Sequence, residues 1–443
     1  MKSRFEDVRP FGLRVCAVFA TGTLLATALA VPAFATVSNC QMAEPSVQTN
    51  SYEDFSVVRQ GDCGDHMTYT LYDNGLLVFR GSGAMWDYDY EDTEQIEYMP
   101  WSYSCSGWYT EWSEAPKVKS VRFEGNITKI GSGAFKECSE LTQAILPDSL
   151  QEIGRRAFYD CKKLTSVNLP AGLTKVGPEA FRNTGLTSLA LPGGLKTIED
   201  RAFSGCGITT LVIPEGVETI EEAAFEYDTK LTAVALPASL KSIDGRTFYH
   251  DNNLKTITVS GNNPTFSMAA NSLYIGTEMV LGDPSATGVW EVPEGTTRIG
   301  KNAMAASEME GVILPDTVTS VASGAFEWCN NLKGIYIPVS VTSMGGDIIP
   351  EEISGSPIRE NKTGVFYAGS AAQWNSINGG VPPTLVNAMM QYNGRPEQVA
   401  ALVQAYAVRD GKTASGYSSD PLSDAAVDAT MKILDSALST LLS

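Results

Sequence analysis

Only two of the 443 residues are histidines, His66 and His250. Neither stands in a G-x-S-x-G, H-E-x-x-H or P-loop setting, the patterns that make a general base, a zinc site or a phosphate cradle. The cysteines offer a second chemistry. Cys138, Cys161, Cys206 and Cys329 each follow a phenylalanine by three residues, in a slot that holds Thr184, Asp228 or Asp251 elsewhere. With no histidine beside them, that phase reads as buried turn residues of a repeat and not as a zinc set. Cys138 and Cys161 fall on adjacent coils, but a strand spacing near ~4.8 Å does not by itself give disulfide geometry. Cys40, Cys63 and Cys105 lie outside the repeats, and a Cys63–Cys105 bridge would suit an exported protein. The acids are scattered over loops as a solvated face, so no catalytic set, cofactor or metal is expected.

Recognition chemistry is concentrated between Trp86 and Trp112. Asp87, Tyr88, Asp89, Tyr90, Glu91, Asp92 and Glu94 stand there with Trp101, Tyr103, Trp108, Tyr109 and Trp112. Aromatic rings beside carboxylates can hold a sugar or a protein loop, and Trp108 and Trp112 are the candidates for carbohydrate. The competing expectation is that Trp101 and its neighbours pack onto the adjoining structure while the acids are merely solvated. The acids lack the glycine and terminal glutamate of an EF-hand.

The positioning elements are repeats. Leu-Pro steps at Pro147, Pro170, Pro192, Pro214 and Pro237, then Pro293, Pro315 and Pro338, are 22 or 23 residues apart within each run. That is the period of leucine-rich repeats. A second marker keeps the same phase, at Phe135, Phe158, Phe181, Phe203, Phe225 and Phe326, with Thr247-Phe248 and Ala303-Met304 in the same slot. Within one coil the alternation through Val167 and Leu169 is strand-like, pointing those two inward and Ser166 and Asn168 outward. Leu173 and Val176 form a second inward pair. Gly131, Gly154, Gly177 and Gly300 then allow a positive φ or close packing, and Ala-Phe closes the convex side. One coil cannot bury its own apolar edge, so stacked neighbours must supply the other wall.

The phrase LP-x-x-L-x-x-I-G-x-x-A-F-x-x-C-x-x-L resembles the BspA-like class of bacterial leucine-rich repeats. Gly61 to Gly83 with Pro100-Trp101, and Tyr367-x-Gly369 with Gln373-Trp374-Asn375, resemble segments that accompany those repeats. The resemblance implies a secreted or surface-attached, adhesin-like binding protein and names no ligand. The expected fold is α/β, mainly β: a single elongated, right-handed leucine-rich-repeat solenoid with a parallel sheet, a β-rich N-terminal cap and a C-terminal helical tail.

Residues 1–35 read as a signal peptide. Lys2, Arg4, Arg9 and Arg14 precede an apolar run from Val15 to Val31, and Ala33-Phe34-Ala35 offers the cleavage site. Asn39 argues against a lipid-attachment box at Cys40. Residues 36–116 read as the cap, with a hairpin across Asp73-Asn74-Gly75, and 117–345 as the solenoid. A variant coil spans 260–290, where a second hairpin turns at Gly276-Thr277. Residues 346–394 would close the far end. The tail, 395–443, contains two segments of helical spacing around a linker at 411–421. No bilayer-spanning run follows the signal. The formal net charge of -19 leaves no basic field for phosphates, which excludes nucleic acid as an expected partner.

Two outward rows define the surface for a partner. One runs Gln143, Ser166, Ser188, Thr210, Ala233 and Thr256; the other Ile145, Asn168, Ala190, Val212, Ala235, Thr258, Glu291, Ile313 and Tyr336. They are almost uncharged in an acidic chain. Small and β-branched neighbours also suit a stacked sheet for packing alone. As a binding face they would take an extracellular or host protein, with Ile145, Val212, Ile313 and Tyr336 as anchors and Asn168 between them.

Overall fold

The computed structural model describes residues 54–88, 100–101, 117–346, 348, 363–379 and 388–409. All of them lie in one compact unit, Glu53–Ser443. The signal segment, Trp108, Trp112 and the second tail segment lie outside the described residues.

The N-terminal strands Val57–Gly64, Met67–Tyr72 and Leu76–Ala84 form an antiparallel meander. Its second turn is made by Asp73-Asn74-Gly75, where Gly75 has a φ of 86°. Leu76–Ala84 then pairs in parallel with Ser120–Ile130, the first long strand of the stack. An edge that would otherwise stay open is covered in this way. Ser120–Ile130 starts two ladders, because its beginning pairs with Gln143–Ile145 and its end with Glu152–Ile153.

Those ladders continue up the molecule. The first includes Thr210–Val212, Ala233–Leu236 and Thr256–Val259, then Gly288–Glu291, Met309–Ile313, Gly334–Ile337, Thr363–Tyr367 and Ala388–Tyr392. The second is made of two-residue strands such as Lys175–Val176, Thr197–Ile198 and Thr219–Ile220. Alternate side chains of the first ladder (Ala144, Leu211, Val234, Ile257, Val312, Ile335) enter the core, as the period of two requires. Behind them Phe135, Phe158, Phe181, Phe203, Phe225 and Phe248 form one continuous stack, with centroids 5.1, 5.1, 5.5, 5.8 and 6.0 Å apart.

The phenylalanine turns are held coil to coil through the backbone. The N–H of Phe135 donates to Ala157 O at 2.7 Å, that of Phe158 to Ala180 O at 2.7 Å and that of Phe181 to Ala202 O at 2.8 Å. Residues on either side of each phenylalanine take the left-handed conformation, for example Arg156 (φ 53°) and Asp160 (φ 60°) around Phe158. The strain is tolerated because neighbouring coils fix those peptides from both sides. The repeat glycines do a different job from a left-handed turn. A Cβ on Gly154 would lie 2.5 Å from Ser132 N and one on Gly177 2.9 Å from Arg155 N, so they permit close packing and the positive φ falls two residues later.

The period breaks at 260–290. Ser267–Ala269, Ser272–Ile275 and Glu278–Leu281 form an antiparallel meander, and the last of these rejoins the second ladder beside Arg298–Ile299. Gly282 then occupies a phenylalanine position, its N–H donating to Ala303 O at 2.7 Å. A side chain there would collide with Met304, whose thioether fills the space. Two core clusters meet at this point, one ending at Leu281 and the other beginning at Tyr274.

At the far end, Thr363–Tyr367 leads into α1 (Ala371–Trp374). A capping box between Ser370 and Gln373 starts this helix, and Trp374 is buried against Tyr367. Ala388–Tyr392 adds a last parallel strand, and α2 (Glu397–Arg409) follows.

Candidate binding face

The sheet twists little of its outward surface into contact with anything over the first coils. Ile145 is 48% and Val212 63% exposed, while Asn168, Ser166, Ser188, Ala190, Thr210 and Thr256 are exposed between and beside them. Register sets the rows: Thr210, Ala233 and Thr256 are directly paired, as are Val212, Ala235 and Thr258. Charge is held at the borders. Lys163 bonds Glu140 at 2.7 Å and Lys241 bonds Glu218 at 2.6 Å, each across neighbouring coils. On the phenylalanine side, Glu179 is gripped by Arg156 at 2.8 Å and Arg182 at 3.1 Å. Burial alone would raise its carboxyl, but the two guanidiniums outweigh it and hold the group low.

The same face is closed over the later coils. α2 lies across Gly288–Glu291, Met309–Ile313, Gly334–Ile337 and Thr363–Tyr367. Its apolar stripe of Val399, Leu402 and Tyr406 packs with Tyr336 and Phe366, and Ile313 is half-buried against the same cluster. Tyr336 is 9% exposed. The expectation that Ile313 and Tyr336 are free anchors is therefore corrected: they are the bed of a helix from their own chain.

Three glycines make that bed. Gly311, Gly334 and Gly364 are paired in register on the outward row. A Cβ on Gly311 would lie 2.6 Å from Val399 Cγ1, and one on Gly364 2.5 Å from Leu402 Cδ2. Bare backbone at these positions lets the helix approach the sheet. The signal was present in the sequence: the row of Ser, Thr and Ala turns to Gly shortly before an amphipathic segment.

The aromatic region divides. Trp101 is buried and its indole N–H donates to Ala134 O at 2.7 Å, among Tyr69, Phe79 and Phe135. Asp87 accepts from Lys129 at 2.8 Å and from the Ser132 N–H at 2.6 Å, so it is part of the framework. Trp86 remains 43% exposed, its indole N–H 3.4 Å from Asp65 Oδ1.

The reactive residues are placed for packing. Cys161, Cys206 and Cys329 are free and buried, and their thiols donate to carbonyls of an earlier coil, Phe135 O at 3.1 Å, Phe181 O at 3.4 Å and Met304 O at 3.1 Å. Cys63 is free and buried, which overturns a Cys63–Cys105 bridge. Cys138 is the disulfide-bonded one. The other four described cysteines are free, so its partner lies outside the described residues. His250 is stacked between Tyr227 at 4.6 Å and Tyr249 at 4.2 Å, and burial lowers its pKa. A cavity beside it, of about 60 Å³ between Tyr249–Asn252 and Ala305–Glu308, has room for roughly two waters. Among the described residues no three His, Cys, Asp or Glu side chains gather to hold a metal. Nor is any helix among them long and apolar enough to cross a membrane.

A family model for the BspA type leucine rich repeat region matches six times, over residues 110–228, 152–273 and 289–352. These matches take in more than half of the chain. The chain belongs to the BspA-type leucine-rich repeat family. No curated protein matches it. Among solved structures, it is similar to a leucine-rich repeat protein of Eubacterium ventriosum, at 22% identity over 70% of this chain and 72% of that one, with a TM-score of 0.49. It is similar also to a leucine rich cell surface protein of Faecalibacterium prausnitzii, at 19% identity over 72% and 98% with a TM-score of 0.38. A third is the pneumococcal vaccine antigen PcpA, at 12% identity over 76% and 98% with a TM-score of 0.33. Likenesses at these values carry no argument about what this member of the family binds.

Proposed function

We propose that this family member is an exported, cell-surface or secreted binding protein without catalysis, and that it engages an extracellular protein through the uncovered part of its strand face. The observation that carries the reading is the exposure of Ile145 and Val212 on a face whose outward rows bear no charge. Such a surface loses little on desolvation, and stacked strands extend it toward the roughly 800 Å² per partner of an ordinary interface. Asn168 lies between the two apolar side chains in the row and supplies a donor and an acceptor. Matrix and host-cell proteins are the leading partner class. Binding to immobilised extracellular-matrix proteins, measured for the full chain and for Asn168→Glu with Val212→Glu, tests it. The double variant should stay folded and lose binding, because neither side chain enters the core. Binding at full strength would move the site elsewhere.

Carbohydrate is the second reading, supported by Trp86, an exposed ring beside Asp65. Trp108 and Trp112 would share that role. A glycan-array signal removed by Trp108→Ala with Trp112→Ala, and kept by the strand-face variant, would favour it.

A further inference from the structure

The side of α2 turned away from the sheet is as dry as the side that meets it. Val399, Leu402 and Tyr406 form the stripe seated on the strands, at the three- and four-residue spacing of one helix face. Ala401 stands two residues after Val399, about 200° further round the helix, and so points away from the sheet. It is nonetheless 0% exposed, and Ala405 and Ala407 are buried with it. The four strands under α2 are the only described elements that pack closely against it. Whatever covers Ala401 therefore belongs to chain outside the described residues.

We propose that the cover is the segment 424–442, folded back through the linker 411–421 and packed along the alanine side of α2 as the second helix of a helical hairpin. Its apolar residues Val427, Met431, Leu434, Leu438 and Leu441 recur at alternating spacings of four and three, the seam of a helix that needs one partner. Ala400, Ala401, Ala405 and Ala407 offer a surface of methyl groups that lets two helix axes approach to the short end of the ~8–10 Å range. The linker suffices: 411–421, at up to ~3.5 Å per residue, outreaches the ~20 Å length of a thirteen-residue helix such as α2. The tail then forms a two-layer cover over Ile313, Tyr336 and Phe366, which confines any partner on the strand face to the earlier coils. This assignment holds whether or not that face is the binding site.

Cross-linking in the full chain tests it. Ala401→Cys is combined in turn with Met431→Cys, Leu434→Cys or Leu438→Cys, oxidised, and mapped by peptide mass under non-reducing conditions. At least one pair should close within a single chain. Covalent dimers alone would assign the cover to a second copy and overturn the proposal. In parallel, Leu434→Asp with Leu438→Asp should make the amides of α2 exchange about tenfold faster or more, while the phenylalanine stack keeps its protection. Unchanged protection of α2 with no intrachain cross-link would overturn it as well.

Discussion

Asp228 and Asp251 hold, on adjacent coils, the slot that is cysteine at 161, 206 and 329. Both are buried, and one Oδ1 of Asp251 accepts the Asp228 N–H at 2.7 Å. Burial drives both carboxyls well above the usual range, and Asp228 pushes Asp251 further. The folded chain therefore keeps protons that the unfolded chain has already released near neutral pH. A raised carboxyl stabilises the fold fully below the unfolded pKa of about 3.9, and that contribution is lost as pH climbs through the folded value. Melting temperature should fall between pH 5 and pH 8, and Asp228→Asn should flatten the profile and raise stability at pH 8 by about 1–3 kcal/mol. Glu179 acts in the opposite sense, since its lowered pKa removes stability only as acid is added beyond the ordinary carboxylate range. The thiols give a second residue-scale prediction. Burial, with Asp62 assisting, pushes Cys63 up to about 12, and burial also drives Cys161 and Cys206 up. Cys63, Cys161, Cys206 and Cys329 should resist thiol reagents at pH 8 in the native protein and react once urea unfolds it, which peptide mapping of the labelled chain reads out.

At the scale of elements, the phenylalanine stack and the bed of α2 are the contacts to break. Phe181 lies inside the stack at 5.1 and 5.5 Å from its neighbours. Phe181→Ala should cost about 3–5 kcal/mol in urea unfolding, because coils on both sides lose a packing partner. Gly311→Leu tests the other contact. Its side chain must displace Val399, so α2 should lift from the sheet at a cost of about 1–3 kcal/mol, with a rise in binding of a hydrophobic dye. Thr210→Leu, on the same outward row where no helix lies, should change stability by no more than about 0.5 kcal/mol. Equal effects of the two substitutions would mean that the glycines do not seat the helix.

At the scale of the whole solenoid, the place where the two cores meet decides cooperativity. Stacked repeats unfold together only when each interface between neighbours is strong enough. Across this one, Met304 fills the position that Gly282 leaves vacant and Arg246 reaches Glu327. Met304→Ala should cost about 2–5 kcal/mol and split urea unfolding into two transitions. Trp101 reports on the first core, and Trp290 and Trp374 on the second. Site-resolved hydrogen exchange around these three residues should therefore show separate midpoints in the variant and one in the parent.

The solenoid, its period and its inward residues were legible because each coil must bury the same positions, which stamps proline, Ala-Phe and strand alternation on the sequence at a fixed interval. The hairpin at Asp73-Asn74-Gly75 was legible for the same kind of local reason, a turn chemistry carried by three residues. Ile145, Asn168 and Val212 were readable as outward-facing from strand period alone. Period could not say what lies over an outward residue. Tyr336 and Ile313 have the same pattern as Val212, and only the return of α2 onto Gly311, Gly334 and Gly364 separates them. The cysteines taught the same limit: slot position placed Cys138 with Cys161 and Cys206, while the pairing of Cys138 and the freedom of Cys63 depend on which chains meet in space. Local patterns follow from the coil's own burial; contacts between distant segments follow from where the chain returns, and only the tertiary structure decides that.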